Sequence, residues 1–261
     1  MSGLSSVFAT CRDERRAALI GYLPAGFPSV EGSKDVLRTM VESGCDIVEV
    51  GLPYSDPVMD GPTIQRASEE ALRGGFRVRD LFGVVESVAA LGGRAVVMTY
   101  WNPVLRYGVD AFARDLAAAG GLGLITPDLV PDEASEWLAA SEAHGLDRIF
   151  LVAPSSTEER IDLTARSSSG FLYATSVMGV TGARDVVSSA APALVKRVRE
   201  HTSMPVAVGL GVRSGAQAAE LAAFADGVIV GSAFVSAVAE DRVAALTAEL
   251  AEGVRQVPAP A

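Results

Sequence analysis

Histidine, cysteine and lysine are nearly missing from this 261-residue chain, which has two histidines, two cysteines and, among its 22 basic residues, only Lys34 and Lys196 as lysines. His144 and His201 stand far apart, each near the end of a predicted helix. They leave little material for histidine catalysis or a metal site, and contact with a helix C-terminus accounts for their positions. Cys11 and Cys45 match no metal-ligand spacing and make no disulfide framework in so long a chain, so they read as small buried residues. Both lysines fall in predicted helices, which leaves no strand with an amine for Schiff-base chemistry. A basic excess is also lacking: the net charge of -10 opposes a nucleic-acid surface. No apolar run approaches the roughly 20 residues that span a bilayer. Residues 1–16 lack the basic-then-apolar order of a signal peptide. A cytoplasmic protein with no membrane attachment is the expectation.

What the chain does have is a recurring short apolar run. Eight occur: Ala18 to Leu23, Ile47 to Leu52, Ala95 to Tyr100, Leu122 to Thr126, Arg148 to Val152, Phe171 to Ser176, Pro205 to Leu210 and Gly227 to Gly231. Runs of Val, Ile and Leu without polar alternation indicate strands covered on both faces, as in a parallel sheet. Between them lie amphipathic stretches, for example Val30 to Ser43, stopped by Gly44. Asp110 to Ala119, Asp132 to His144, Glu158 to Ser167, Pro192 to His201, Gly215 to Ala223 and Val235 to Leu250 follow the same pattern. Such alternation admits an open doubly wound sheet or a closed barrel, and its regularity favours closure. The expected fold is therefore a single α/β domain, a (β/α)8 TIM barrel over residues 1–256. It carries an extra N-terminal helix (Leu4 to Arg16) and two helices, Thr63 to Leu72 and Arg79 to Leu91, between strands two and three. Residues 257–261 read as a disordered tail.

One acid stands out. Side chains alternate along a strand, so Ile47, Glu49 and Gly51 share a face opposite Val48, Val50 and Leu52. If the valines pack on helices, Glu49 points into the barrel, where an ionised carboxylate is costly unless a group such as Tyr100 or Tyr173 bonds to it. The loop that follows carries Asp56 and Asp60. Asp60 precedes Gly61-Pro62-Thr63 and reads equally as a helix-capping residue or a second catalytic acid. Two carboxylates at different depths can divide proton donation and acceptance, burial raising one pKa while solvent keeps the other ionised.

Gly209-Leu210-Gly211 and Gly231-Ser232 close the last two strands, where barrels commonly bind a phosphate on backbone N–H groups and a helix N-terminus. Tight turns are the alternative use of those glycines. The glycine-containing stretch Val177 to Arg184 after the sixth run has the length of a lid, or of a simple connection. The residues taken alone thus point to acid–base chemistry on a phosphorylated small molecule.

The words Glu49-Val50-Gly51-Leu52-Pro53-Tyr54-Ser55-Asp56-Pro57 and Asp60-Gly61-Pro62-Thr63-Ile64-Gln65 closely resemble those of the tryptophan synthase alpha subunit family. Pro24 to Pro28, Met98 to Pro103, Pro127 to Pro131, Gly179 to Ala183 and Gly209 to Gly211 resemble its remaining blocks, in order. The resemblance implies retro-aldol cleavage of indole-3-glycerol phosphate to indole and glyceraldehyde 3-phosphate. Glu49 would be the proton shuttle, and Asp60 the acid that stabilises the indole N–H. It further implies that Tyr22 and Tyr100 line the indole pocket, that Tyr173 borders Glu49, that Thr181 engages Asp60 when a lid closes, and that Gly182, Gly211, Gly231 and Ser232 hold the phosphate. A beta subunit carrying pyridoxal phosphate is the implied partner, in an alpha2beta2 heterotetramer, with Asp56, Pro57, Asn102 and Pro131 facing it. No cofactor or metal is implied for this chain. Val177-Met178 and Leu210 depart from residues found in some relatives. The rival readings are a noncatalytic phosphate-binding regulatory subunit and another phosphate-binding barrel enzyme of aromatic amino-acid biosynthesis.

Overall fold

A computed structural model describes residues 3–175, 190–209 and 211–256. Thr181 and Gly182, like Val177, Met178, Leu210 and the tail at 257–261, lie outside the described residues. The chain begins with helix α1 (Gly3–Asp13), then β1 (Ala18–Pro24), α2 (Val30–Glu42), β2 (Ile47–Gly51), α3 (Pro62–Arg73), α4 (Val78–Ala90) and β3 (Ala95–Met98). There follow α5 (Trp101–Tyr107), α6 (Val109–Ala118), β4 (Gly123–Ile125), a 3-10 turn (Pro131–Glu133), α7 (Ser135–His144), β5 (Asp147–Ile149) and β6 (Leu151–Val152). The remainder comprises α8 (Glu158–Ser167), β7 (Leu172–Thr175), α9 (Ala190–Arg199), β8 (Val206–Gly209), α10 (Gly215–Ala222), β9 (Gly227–Val230), α11 (Ser232–Ala239) and α12 (Val243–Gly253).

Every pairing among these strands is parallel, in the order β5-β4-β3-β2-β1-β9-β8-β7-β6. The two edges of that sheet, β5 and β6, are halves of one extended segment broken only at Phe150, whose carbonyl accepts the Tyr173 N–H at 3.2 Å. The ladder therefore runs around into itself: an eight-position barrel in which the fifth position counts as two short strands. It is the TIM-barrel-like fold that the alternation of runs predicts.

Strand alternation sorts the side chains into two cores. Inside the barrel lie Ala18, Ile20, Ile47, Val96, Ile125, Ile149, Ala207 and Ile229. Outside, against the helices, lie Leu19, Val48, Val50, Val97, Leu124, Leu172, Val206 and Val228. Most strand positions are apolar on both faces because both are covered, Glu49 on β2 and Asp147 on β5 being buried exceptions. The first helix closes the bottom: Leu4, Phe8 and Cys11 belong to the inner core, and Phe8 meets Phe171 at 5.5 Å between ring centroids. Arg16 anchors the end of that plug with a forked contact to Asp46, at 2.7 and 2.8 Å, while Asp46 also accepts the Leu19 N–H.

Several details depart from the sequence reading. The expected helix Val235 to Leu250 is two helices, α11 and α12, separated at Glu240–Arg242 where Asp241 takes φ 52°. Helix α5 arises in a stretch read as connection; Pro103, its third residue, needs no intrahelical N–H partner in the first turn. The expected Asp132 to His144 helix begins instead with the separate 3-10 turn. Both histidines do stand at helix ends, but each is bonded to a neighbouring carboxylate, His144 to Asp110 and His201 to Glu158.

Truncating Phe8 to alanine removes the central side chain of the plug. It should cost about 3–5 kcal/mol of unfolding free energy, the usual range for a buried phenylalanine, measured by urea titration. A loss under about 1 kcal/mol would show that α1 is not part of the barrel core.

Candidate active site

The C-terminal ends of adjacent strands gather the acids and phenols in one place. Glu49 is the third residue of β2 and pairs in register with Tyr22 on β1 and Val96 on β3. Its side chain enters the barrel above Ile47, as alternation requires, and is 1 % exposed. Its Oε2 has no hydrogen-bond partner among the described residues. The expected bond from Tyr100 or Tyr173 is thus not the one formed, because Tyr100 turns to Asp60 instead.

Two glycines make room for the aromatic wall. A Cβ added at Gly51 would overlap the hydroxyl and ring of Tyr22, and one at Gly209 would overlap the hydroxyl and ring of Tyr173. Strands β2 and β8 therefore end in residues without side chains where a tyrosine from a neighbouring strand lies across them. Tyr22 and Tyr173 are both buried, and burial drives both hydroxyls well above their ordinary pKa. Tyr22 stands in register with Glu49 across β1 and β2, and the charges of Asp60 and Glu49 add to the rise at Tyr22, as that of Glu49 does at Tyr173.

Asp60 lies in the loop after β2 and is half-buried. Its Oδ1 accepts Tyr100 Oη at 2.7 Å. Gly61, not Asp60, is the N-cap of α3, and no side chain caps that helix. The capping alternative for Asp60 therefore fails: its carboxylate is spent on a phenol across the barrel mouth. Burial raises the Asp60 pKa and the Tyr100 bond pulls it back. Glu49 has no such counterweight, and burial first, then the Asp60 charge, pushes it up to about 8. The two acids differ as the sequence suggested, although the second is held down by a phenol more than by open solvent.

On the other side of the mouth, Gly211 adopts φ 69° after β8, and Gly231 is the N-cap of α11, with no side chain capping that end. The first turn of α11 holds no acidic residue, and Ser232 is buried there. A helix start of this kind presents backbone N–H groups and a positive dipole end to an anion. Of the other sequence-predicted residues, Asp56 and Asn102 are exposed and Pro57 is partly so. Pro131 is buried. It opens the 3-10 turn and packs inward, and the exposed apolar side chain beside it is Val130.

Sequence reading missed two residues within the words it quoted. Asp128 accepts the Trp101 N–H with both oxygens, at 2.9 and 3.1 Å, and so holds the start of α5. Tyr54 stacks at 5.5 Å on Tyr100 and accepts Asn102 Nδ2 at 3.0 Å. Spacing carries no signal for either contact, since the partners lie 27 and 48 residues away.

A family model described as tryptophan synthase alpha chain matches residues 8–257. The chain belongs to the tryptophan synthase alpha chain family. It is 70 % identical over 256 residues to the alpha chain of Nocardia farcinica, covering 97 % of this chain and 96 % of that one. A crystal structure of Mycobacterium tuberculosis tryptophan synthase superposes with a TM-score of 0.95 at 68 % identity, over 97 % of this chain and 98 % of the other. The alpha subunit from Legionella pneumophila retains a TM-score of 0.90 at only 29 % identity, over 98 % and 100 %. Membership in this family, the indole-3-glycerol-phosphate lyase component of tryptophan synthase, rests on a match along nearly the whole barrel.

The raised Glu49 pKa has a stability consequence with a definite sign. Between its unfolded value near 4.5 and its folded value of about 8, the native protein holds a proton that the unfolded chain has released. Stability from the protonated acid is full below the first value and is lost as pH rises through the second. A shift of this size corresponds to on the order of 5 kcal/mol at full ionisation. Glu49→Gln should therefore melt close to the wild type at or below pH 4.5 and increasingly above it as the pH rises from there to 8, with the gap levelling off beyond. Parallel melting curves for the two proteins across that range would refute the assignment.

Proposed function

We propose that this chain cleaves indole-3-glycerol phosphate into indole and glyceraldehyde 3-phosphate, with Glu49 as the proton shuttle and Asp60 as the electrostatic partner of the indole nitrogen. The observation that carries this reading is Glu49 itself. Buried, lacking a hydrogen-bond partner on Oε2 among the described residues and pushed up to about 8, it is a carboxylic acid at neutral pH.

A protonated acid is what the first step requires. Glu49 gives its proton to indole C3, the ring nitrogen takes up positive charge, and the bond from C3 to the glyceryl carbon weakens. The Glu49 carboxylate then removes the proton of the adjacent hydroxyl. The O–H electron pair forms the aldehyde C=O, the C–C pair flows back into the ring and restores indole, and Glu49 ends protonated as it began. Asp60, kept more acidic by Tyr100, offers a carboxylate to the N–H as that charge develops. Each such contribution is worth roughly a hundredfold to ten-thousandfold in rate.

The remaining assignments follow the same reading. Tyr22, Tyr100 and Tyr173 wall the indole, and Gly211, Gly231 and Ser232 hold the phosphate together with Gly182. Thr181 meets Asp60 from the segment outside the described residues. The beta subunit, which carries the pyridoxal phosphate, consumes the indole in an alpha2beta2 assembly. Asp56, Pro57, Asn102 and the loop of Pro131 face it, the exposed side chain beside Pro131 being Val130. Supporting that face, three large exposed apolar side chains, Val58, Leu105 and Val130, at 72, 52 and 42 %, stand on the segments that follow the neighbouring strands β2, β3 and β4. Among the described residues no helix is long and apolar enough to cross a membrane. A cytoplasmic setting belongs to this proposal.

Purified chain should release indole from indole-3-glycerol phosphate slowly, and faster when the beta subunit is added. Glu49→Gln should lower kcat by about ten-thousandfold while substrate still binds by calorimetry; most of the activity surviving would remove Glu49 from the shuttle role. Asp60→Asn should lose on the order of a hundredfold, and an unchanged rate would leave Asp60 without a part in the reaction.

A further inference from the structure

An aromatic arm connects the acid Asp60 to the protein surface. Tyr100 Oη donates to Asp60 Oδ1 at 2.7 Å and accepts the Met59 N–H at 3.2 Å, so one phenol grips two consecutive residues of the loop. Behind Tyr100, at 5.5 Å and tilted by 38°, lies the ring of Tyr54. The hydroxyl of Tyr54 accepts Asn102 Nδ2 at 3.0 Å. Tyr100 is buried, Tyr54 partly buried and Asn102 exposed, so the arm runs from dry interior to water within three side chains. Its outer end lies in the apolar setting described above: Leu105 is one turn from Asn102 on α5, and Val58 is in the Tyr54 loop.

We propose that Tyr54 is a positioning residue that transmits the state of Asn102, through the Tyr100 ring, to the orientation of Asp60. This rests on the cleavage role of Asp60 and the partner-facing role of Asn102 proposed above. In the isolated chain, water competes for the exposed bond between Asn102 and Tyr54, and the Tyr54 ring is pinned only part of the time. A subunit seated over Asn102 excludes that water. Tyr54 is then fixed against Tyr100, and the Tyr100 hydroxyl stays on the carboxylate that must meet the indole nitrogen. The hydroxyl is essential to the device, because a phenylalanine ring would pack on Tyr100 yet could not be held by Asn102.

Among the described residues, the titratable groups facing Asp60 are Tyr100 from the segment after β3, Glu49 from β2 and Tyr22 from β1. Of these, Tyr100 donates the hydrogen bond that favours the ionised form. A loosened Tyr100 therefore raises the Asp60 pKa.

The test compares wild type, Tyr54→Phe, Tyr100→Phe and the double variant by two measurements. One is the titration of the Asp60 carboxyl by carbon-13 NMR in aspartate-labelled chain, with the signal assigned by its loss in Asp60→Asn. The other is kcat and KM for indole release at saturating beta subunit. Tyr54→Phe should raise the Asp60 midpoint by about half a pH unit and lower kcat about three- to tenfold with KM within about twofold. Tyr100→Phe should do more of both, and the double variant should be no worse than Tyr100→Phe, since both act on Asp60 through one line. An unmoved Asp60 titration in Tyr54→Phe overturns the proposal, as does a kcat loss that disappears when more beta subunit is added, or losses that multiply in the double variant. The titration needs no turnover. A wild-type chain that released no indole would refute the cleavage reading, and the carboxyl midpoints would still decide the role of Tyr54.

Discussion

A carboxyl group without a full set of partners, sealed inside a dry barrel, is the constraint that organises this molecule. Most buried polar atoms in a folded protein find a hydrogen bond, and leaving one without is expensive. Glu49 Oε2 has none among the described residues. The cost is limited because the acid keeps its proton, which is also what makes it useful to a reaction that begins by protonating carbon. Placing a hydrogen-bond donor against Oε2 would steady the fold and lower the pKa toward that of an ordinary glutamate. The surroundings avoid doing so: the two nearest strand-borne phenols lie over glycines, and the third, Tyr100, is committed to Asp60.

Asp60 shows the opposite solution to the same problem. It too is raised by burial, but it has a donor 2.7 Å away that favours its ionised form. The two acids thus differ in depth and in one phenol, which favours the ionised form of Asp60 and is missing from Glu49. Chemistry that needs both forms at one pH can be run on two carboxylates of nearly equal intrinsic acidity only if their neighbours separate them in this way.

Much of this was legible in the residues because parallel strands leave so plain a trace. Buried on both faces, they appear as unbroken apolar runs, and a charged residue within one is conspicuous; period-two alternation then assigned Glu49 to the inside beside Ile47. Local signals decided less. The Gly61-Pro62 word marks where α3 begins but does not say whether the preceding acid caps it, and only the bond from Tyr100, 40 residues on, answers that. Helix α5 is too short to show a period, and the break at Asp241 falls in the charged triplet Glu240-Asp241-Arg242, which the solvent face of one continuous helix could equally carry. Pro131 belongs to a quoted word, yet its direction depends on a 3-10 turn that the word does not encode. The links from Asp128 to Trp101 and from Asn102 to Tyr54 are long-range in sequence, and no pattern in one chain announces them.

The two ends of the barrel carry opposite obligations. At the bottom, α1 fills the interior with Leu4, Phe8 and Cys11, and Arg16 meets Asp46 with paired hydrogen bonds; burial pushes the Cys11 thiol up to about 12, so it stays an uncharged packing group. That end gives up nothing to chemistry and can be packed for stability alone. At the top, glycine replaces larger residues, an acid goes short of partners, and apolar side chains stand in water. Stability lost at the mouth has to be compensated somewhere that does not stiffen the mouth itself, and a plug at the far end of the same strands meets that requirement. The inner core joins the two through Ile47 and Glu49 on one strand, two residues apart, one sealed by the plug and the other held for the reaction.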